Sequence, residues 1–382
     1  MLFTEFFLPF LFPVIGLLKI KIIMKTVCKT FALLLVPALL FTACGGEAKK
    51  EEGKKEKAEK KIDPELKKHI DELAACEQQN TNCDAYNKTS EFLKKQCEDE
   101  KKCETMIADL FTIIENGPSK HSQAAAHAVN FWTYGKYKEN PEYGRIVLNA
   151  LLKEKFEEGN YTGGQLGQLL SKWFTTADKK LFTDILKAVK SKETERYGRT
   201  ELIRLVPPES LGNPELFKVF TDIINDADET KEVRVQCLNV IWRVEDENSK
   251  TTVRSVYEGL LSNPDIQIAG TAMLGLGYLK SAASYDLIEK MLSENKDNQE
   301  WCYYGSYCLS EMVRDNADNM DAAKVFNLVK TLISNKTVSA YYRSYYVSTL
   351  ISLNTPAAKA LLNQLKSSGE KEIKDEVINR MK

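Results

Sequence analysis

The stretch from Lys231 to Tyr278 contains the same helical unit twice, and this repetition limits what the chain can fold into. Residues 233–241 and 266–274 share one pattern: an apolar residue, a polar one, a small residue at the fifth place and apolar residues that complete the face. A short polar break and a second apolar helix follow each copy, over residues 252–261 and 285–292. Because two helices of this size cannot bury their own apolar faces, the units must stack on neighbouring units.

The composition is that of a large globular protein and gives no sign of a nucleic-acid partner. Of 382 residues, 43% are hydrophobic and 28% are charged. Lys and Arg (53) balance Asp and Glu (54), which leaves a formal net charge of −1. A chain with this balance lacks the overall positive field that attracts nucleic acid or anionic lipid. We therefore expect no nucleic-acid binding.

The N-terminal residues have the form of an export signal. From Met24, a basic region with Lys25 and Lys29 precedes an apolar core over residues 31–41. Small residues then lead directly to Cys44. We therefore assign residues 1–43 to an export signal.

The end of this signal resembles the lipobox of bacterial lipoproteins, with Phe41 at the position where that family usually has Leu. The resemblance implies that Cys44 becomes the lipid-bearing first residue of the mature protein and that residues 1–43 are removed. With Gly45 after the cysteine, it also implies a location at the outer membrane, facing the periplasm or the cell surface.

Two short segments flank this signal. Residues 1–23 are strongly apolar, and they are either the product of a misassigned start or a first membrane span of about 20 residues. We favour the first interpretation, because a complete signal begins at Met24. Residues 44–62 hold the lipid attachment site and a charged stretch without large apolar residues. Such a stretch cannot pack and is predicted to be a flexible tether.

Four cysteines lie at or near the ends of three predicted helices, in a helical cap that we place at residues 63–118. They are Cys76, Cys83, Cys97 and Cys103. The helices are predicted over residues 65–78, 84–96 and 104–115. In an exported chain, an even group of cysteines favours disulfides over a four-thiolate zinc site, whose cysteines are usually in closer CxxC pairs. Three pairings are open, and the simplest joins Cys76 to Cys83 and Cys97 to Cys103.

From residue 119 to residue 382 the pattern is that of helix pairs recurring at intervals of roughly 30 to 45 residues. The later first helices are predicted over residues 195–206, 300–313 and 340–353. Their partners are predicted over residues 214–224, 321–333 and 356–365. About seven such pairs would stack into an elongated helical solenoid.

The residues that open and close two units resemble those of a known repeat family. Val233-Arg234 and Ile266-Gln267 open the units, and residues 272–277 read Ala-Met-Leu-Gly-Leu-Gly. This is similar to the Ala-Leu-Gly-x-Leu-Gly segment of bacterial HEAT-like (armadillo-type) repeats. The resemblance implies an all-α fold, a right-handed α-solenoid of HEAT-like helix pairs that presents a curved surface to other proteins.

Two similar tyrosine-rich segments, residues 303–308 and 341–346, are the most distinctive local feature. On a helix, the first and last tyrosines of each segment stand one turn apart on the same face. This face could form an aromatic strip that binds a peptide or protein segment. The candidate residues of that strip are Trp301, Tyr303, Tyr307, Tyr341, Arg343 and Tyr345. The alternative is that these rings pack between successive helices, as aromatic residues at helical spacing usually do.

No residue pattern indicates a catalytic, metal or cofactor site. The three histidines, His69, His121 and His127, do not show the four-residue spacing of a metal site on a helix. Cys237, Cys302 and Cys308 lie within predicted helices, and we expect them to be buried free thiols.

Together these features predict a non-catalytic scaffold for protein–protein interaction, anchored by lipid at Cys44 to the bacterial cell envelope. The partner is predicted to be a protein or peptide bound on the inner face of the solenoid, without a cofactor. The alternative is an envelope enzyme or accessory subunit, with a site that the solenoid assembles from residues distant in sequence.

Overall fold

A computed structural model describes residues 61–76, 83–133, 135–137, 140–153, 164–173, 178–314 and 320–381. Within these residues all regular structure is helical, which confirms the predicted all-α class. The fold is an α-solenoid of HEAT-like helix pairs, preceded by a small disulfide-braced helical segment. No helix in the described part of the chain is long and apolar enough to cross a membrane. The predicted export signal, Cys44 and most of the tether lie outside the described residues.

Two disulfides link the first three helices, α1 (Pro64–Ala74), α2 (Asp84–Gln96) and α3 (Glu100–Asn116). Cys76–Cys83 closes the connection from α1 to α2, with 6.4 Å between the Cα atoms. Cys97–Cys103 ties the end of α2 to the first turn of α3, with 4.2 Å between the Cα atoms. This is the simplest of the three pairings that were open from sequence. Each disulfide stabilises the fold mainly by restricting the unfolded chain.

After α2, the chain alternates between two rows of stacked helices. Row A consists of α4 (Ser119–Trp132), α6 (Gly164–Leu170), α8 (Arg196–Arg204), α10 (Lys231–Ile241), α12 (Ile266–Tyr278), α14 (Gln299–Val313), α16 (Ala340–Ser344) with α17 (Tyr346–Leu353), and α19 (Lys371–Arg380). Row B consists of α3, α5 (Pro141–Lys153), α7 (Lys179–Lys190), α9 (Pro214–Asn225), α11 (Glu247–Leu260), α13 (Tyr285–Glu294), α15 (Ala322–Ile333) and α18 (Pro356–Ser368). Helix α3 packs on α4 and α5, so it is also the first helix of row B.

The spacing between successive units matches the interval predicted from sequence. The hydrogen bonds from Arg199 to Glu229 join residues 30 apart. The hydrogen bond from the Thr349 hydroxyl to the Ser306 carbonyl joins residues 43 apart. Each unit therefore contacts the next one along the chain, as expected of a solenoid.

Capping residues determine where several helices begin and explain two differences from the predicted boundaries. Helix α3 begins at Glu100, before the predicted residue 104, because the Asp99 side chain accepts the backbone N–H of Lys102. Helix α11 begins at Glu247, before the predicted residue 252, because Asp246 caps its first turn in the same way. The helix predicted over residues 340–353 is interrupted at Tyr345, which separates α16 from α17.

Small residues allow the helices of row A to approach one another closely. Helix α12 packs directly on α10 and α14. A Cβ atom at Gly270 would overlap the ring of Tyr304, and one at Gly277 would lie 2.8 Å from the backbone of Cys308. Among the described residues, the row B helices from α9 onward pack mainly on row A and little on each other. From α8 onward, row A is thus the more closely spaced of the two rows.

Three arginines on row A bind the C-terminal ends of row B helices. Arg199, Arg234 and Arg343 are each the fourth residue of their helix. Each guanidinium donates to a carbonyl ten residues earlier, at distances of 2.9, 3.0 and 2.8 Å; the acceptors belong to Val189, Ile224 and Ile333. These carbonyls lie in the last turn of a helix, where backbone acceptors lack donors within the helix. The arginines therefore connect α7, α9 and α15 to the row A helices that follow them.

Two of these arginines also form ion pairs between units, of which the Arg199–Glu229 pair is buried and the Arg343–Glu370 pair is partly exposed. The two terminal nitrogens of Arg199 donate to the two carboxylate oxygens of Glu229 at 3.0 and 2.6 Å, and both side chains are 3% exposed. Arg343 donates to Glu370 at 2.6 Å. Burial alone would raise the pKa of Glu229, but hydrogen bonds from Arg199 and Thr230 outweigh it and lower the pKa below its ordinary value. The Glu229 side chain is therefore ionised at neutral pH.

Candidate functional site

A surface of aromatic rings crosses four consecutive helices of row A. We call it the aromatic strip, and it consists of Trp242, Tyr278, Tyr303, Tyr307, Tyr341 and Tyr345. Trp242 directly follows α10 and Tyr278 ends α12. The remaining four residues lie on α14 and α16 and at the break between α16 and α17. The strip therefore joins residues that lie far apart in sequence.

Three members of the strip are exposed to an unusual degree for large aromatic side chains. Tyr278 is 40% exposed, Tyr307 is 37% exposed and Tyr341 is 57% exposed. Trp242, Tyr303 and Tyr345 are half-buried beside them. Aromatic residues that serve only packing are usually covered, so exposed rings beside half-buried aromatic neighbours indicate an interaction surface.

The rings contact one another both within a helix and between helices. Trp242 stacks on Tyr278, with 4.6 Å between the ring centroids. On α14, the rings of Tyr303 and Tyr307 are 5.1 Å apart. Between helices, the ring of Tyr345 lies 5.6 Å from that of Tyr303 and 5.7 Å from that of Tyr307. These contacts hold the rings in place before any partner binds.

The tyrosine rings of the strip do not form a flat platform. The Tyr303 and Tyr345 planes cross at 83°, and the Tyr341 and Tyr345 planes cross at 72°. The Tyr307 and Tyr345 planes cross at 42°. With centroids 5.5 to 5.7 Å apart, rings at these angles are packed edge to face or tilted against one another. The tyrosines of the strip thus form an uneven surface of contacting rings.

The hydroxyls of Tyr278, Tyr303, Tyr307 and Tyr345 are neutral at physiological pH. Partial burial and the neighbouring tyrosines raise the pKa of Tyr303 to about 12. Burial is also the main cause of the raised pKa of Tyr278, Tyr307 and Tyr345. Since the protonated phenol can donate a hydrogen bond, the strip offers donors beside its apolar surfaces. The Tyr345 hydroxyl donates to that of Tyr341 at 2.8 Å.

Charged residues at the edge of the strip occur in ion pairs. Arg314 and Glu311, whose charges act on Tyr278, are 3.1 Å apart. Arg380 and Glu376, whose charges act on Tyr307, also form an ion pair. Because each cation has a carboxylate beside it, the edge carries no net charge from these residues.

The structure brings together four of the six residues predicted for the strip. One surface contains Tyr303, Tyr307, Tyr341 and Tyr345. The half-buried rings of Tyr303 and Tyr345 also pack against each other between α14 and α16. The other two predictions are corrected: Trp301 is 7% exposed and Arg343 is 4% exposed, so neither can line a surface. Arg343 instead binds the end of α15 and Glu370.

Sequence reasoning missed Trp242 and Tyr278. Trp242 directly follows the first copy of the repeated pattern, residues 233–241, and Tyr278 lies four residues after the second copy, residues 266–274. A large aromatic residue shortly after each copy of the pattern is a signal that could have identified them.

The remaining candidate groups have structural roles in the described residues. His121 lies 3.2 Å from Asp71, and His127 lies 3.1 Å from Gln165, with a pKa lowered mainly by burial. Cys237, Cys302 and Cys308 are buried free thiols, as predicted, and burial raises the pKa of Cys302 to about 11. Within the same residues, no group of three or more His, Cys, Asp or Glu side chains is arranged to hold a metal ion.

Comparison with known proteins informs the fold. No protein-family model and no curated protein matches the sequence. A crystal structure of importin beta aligns over 79% of this chain and 42% of its own, with a TM-score of 0.53 and 11% identity. An engineered protein aligns over 83% of this chain and 87% of its own, with a TM-score of 0.37 and 14% identity. A Kap121p mutant aligns over 83% of this chain and 37% of its own, with a TM-score of 0.45 and 12% identity.

The chain thus spans less than half the length of importin beta and of Kap121p. At 11% identity, the similarity to importin beta bears on the fold alone. Together with the alternating rows of helices, it identifies the described chain as a HEAT-like helical solenoid.

Proposed function

We propose that the protein is a non-catalytic scaffold that binds a protein partner along the aromatic strip. The observation that carries this proposal is that aromatic rings from four consecutive units, three of them exposed, form one surface. Tyrosine and tryptophan are enriched among the residues that dominate the binding energy of protein interfaces. Their rings supply a large contact area at a small cost in side-chain entropy.

The position of the strip on row A supports the same function. The row whose helices lie closer together occupies the inner side of a curved stack, and helical solenoids use this concave surface to bind extended partners. Close packing of α12 against α10 and α14 also restricts movement of the helices that carry the rings. A surface that is organised before binding loses less conformational entropy when the partner arrives.

Site-specific photocrosslinking in the native envelope tests this function. A photoreactive amino acid at Tyr307 or Tyr341, both exposed, is expected to form a discrete adduct with one protein partner. The same amino acid at Lys330, which is exposed on row B, is the matched control and is expected to form no such adduct. Adducts of equal yield at Lys330, or none at the two tyrosines, would contradict binding along the strip.

We also propose that the scaffold is anchored to the outer membrane by lipid at Cys44, which rests on the lipobox-like residues before it. The N-terminal peptide of the membrane-extracted protein is expected to begin at Cys44 and to carry the mass of attached acyl chains. Cys44→Ala is expected to abolish this mass and to leave residues 1–43 uncleaved. An unlipidated wild-type chain that begins at Met1 or Met24 would refute the anchor.

A further inference from the structure

We infer that a buried polar seam between α14 and the α16–α17 pair holds the aromatic strip in the arrangement that binds the partner. The inference rests on the proposed function, because it names the residues that position the surface on which the partner is bound. The seam consists of six residues in polar contact across these helices: Cys302, Ser306 and Ser310 on α14, Tyr342 on α16, and Thr349 and Ser352 on α17.

The α14 side of the seam is regular. Cys302, Ser306 and Ser310 are spaced four residues apart, so they lie along one face of the helix. The Cys302 thiol and the Ser310 hydroxyl take part through their side chains, and Ser306 takes part through its carbonyl. Their partners on the neighbouring helices are the Tyr342 carbonyl at 3.4 Å, the Ser352 hydroxyl at 3.5 Å and the Thr349 hydroxyl at 3.1 Å.

Burial makes the seam specific for one register of the two helices. Cys302, Ser310 and Thr349 are all buried, so water cannot replace a contact that is lost when the helices move. A buried polar group without a partner is costly, whereas apolar side chains find other apolar neighbours after a small displacement. Buried polar contacts fix the register of helices in coiled coils for this reason. The seam therefore determines where α16 and α17 lie along α14.

The same register determines the contacts between the rings of the strip. Along α14, Tyr303 and Tyr307 each directly follow a residue of the seam. Tyr345 lies between Tyr342 and Thr349, and its ring is 5.6 Å from that of Tyr303 and 5.7 Å from that of Tyr307. Since a helix rises about 1.5 Å per residue, a displacement by a single residue would change both ring contacts.

The thiol contact lies at the break between α16 and α17. The Tyr342 carbonyl accepts the backbone N–H of Tyr345 at 3.3 Å in addition to the Cys302 thiol. A hydrogen bond between residues three apart is of the 3-10 type, which often marks a functional position when it occurs inside a helix. A side chain that reaches into the backbone hydrogen bonds of a helix is also a known cause of bending. Cys302 thus acts at the turn that directs the Tyr345 ring towards α14.

Two substitutions at Thr349 separate the hydrogen bond of the seam from its packing. Thr349→Val keeps the shape of the side chain but removes the donor, and Thr349→Ser keeps the donor but removes a methyl group. Fluorine NMR of the full-length chain in detergent, with 3-fluorotyrosine in place of Tyr345 alone, reports the surroundings of this ring. We expect Thr349→Val to displace or divide the resonance and Thr349→Ser to leave it at the wild-type position.

Thr271→Val is the matched control, because the buried Thr271 hydroxyl on α12 donates to the Gln267 carbonyl of its own helix at 2.7 Å. It is expected to leave the Tyr345 resonance unchanged. Thr349→Val combined with Cys302→Ala removes two contacts of the seam and is expected to change the resonance more than Thr349→Val does. An unchanged resonance in this combined variant, or equal changes in Thr349→Ser and Thr349→Val, would overturn the inference. Circular dichroism confirms that each variant is folded.

Photocrosslinking measures the consequence for the partner. With the photoreactive amino acid at Tyr307, Thr349→Val is expected to lower the adduct yield about two- to tenfold, the change in population that loss of one hydrogen bond of ordinary net strength causes. Thr349→Ser is expected to retain most of the wild-type yield. If the wild type forms the adduct and the combined variant forms it equally well, the seam does not position the strip, and the scaffold function stands. If the wild type forms no adduct at Tyr307 or Tyr341, the proposed function fails and this inference fails with it.

Discussion

Replacing Arg199 with methionine is expected to lower the free energy of unfolding by about 3–5 kcal/mol, because it leaves the buried Glu229 carboxylate without its partner. Methionine keeps much of the volume of the arginine stem, so the loss reflects mainly the missing charge and its hydrogen bonds. Arg199 donates to Glu229 and to the Val189 carbonyl, and the latter would also lose its donor. Chemical denaturation followed by circular dichroism measures the effect.

Two further variants isolate the buried charge as the cause. Arg199→Met with Glu229→Leu removes both charges and is expected to recover most of the lost stability, because no uncompensated charge remains. Arg204→Met removes the partner of Glu201 in an ion pair whose arginine is 50% exposed, and it is expected to cost less than about 1 kcal/mol. If Arg199→Met costs no more than Arg204→Met, the pair does not stabilise the fold as argued.

The same variant addresses how the units of the solenoid unfold. Arg199 lies on α8, and Glu229 directly precedes Thr230, which occupies the N-cap position of α10. In a stack of repeats, stability depends on the interfaces between neighbouring units. Weakening one interface in the middle of the stack is expected to separate the unfolding of the units before it from that of the units after it. A single transition would then broaden or divide into two.

The helices and the disulfides could be predicted from sequence because both depend on local features. Apolar residues at helical spacing indicate each helix, and capping residues such as Asp63 and Asn213 mark where helices begin. The short intervals between Cys76 and Cys83 and between Cys97 and Cys103 favoured the pairing that the structure has. Two helices begin earlier than predicted, at Glu100 and Glu247. The aspartates that cap these helices were given too little weight in predicting where the helices begin.

The errors in the predicted strip have a simple geometric reason. Arg343 is two residues from both Tyr341 and Tyr345, which places it about 200° away around a helix and therefore on the opposite face. Trp301 stands in the same relation to Tyr303. Helical spacing alone could thus have excluded both residues from the surface, and both are buried.

Other parts of the site depend on contacts between units and leave a weaker trace in the sequence. Trp242 and Tyr278 stack on each other only because α10 and α12 are neighbours in row A. The residue pattern of either helix alone does not show which ring on the neighbouring helix it contacts. The arginines that bind row B helices do leave a pattern, since Arg199, Arg234 and Arg343 each follow their acceptor by ten residues. A search for arginine at this interval after a helix end would have found them.

Replacing Gly277 with alanine is expected to lower the free energy of unfolding by about 1–3 kcal/mol, because the added methyl group has no space. The new Cβ atom would lie 2.8 Å from both the Cα atom and the carbonyl oxygen of Cys308 on α14. These are backbone atoms, so the contact can be relieved only by moving α12 away from α14. The higher helix propensity of alanine, roughly 1 kcal/mol, offsets part of this cost.

Gly259→Ala is the matched control, because Gly259 is exposed on α11 and a Cβ atom there would meet nothing within 4 Å. It is expected to raise the free energy of unfolding by no more than about 1 kcal/mol. The two substitutions should therefore change the free energy of unfolding in opposite directions.

Separation of α12 from α14 would also move Tyr278 away from Tyr303 and Tyr307. Gly277→Ala is therefore expected to weaken photocrosslinking at Tyr307 even where the protein remains folded. If Gly277→Ala is as stable as the wild type and crosslinks equally well, close packing of row A does not hold the aromatic strip together.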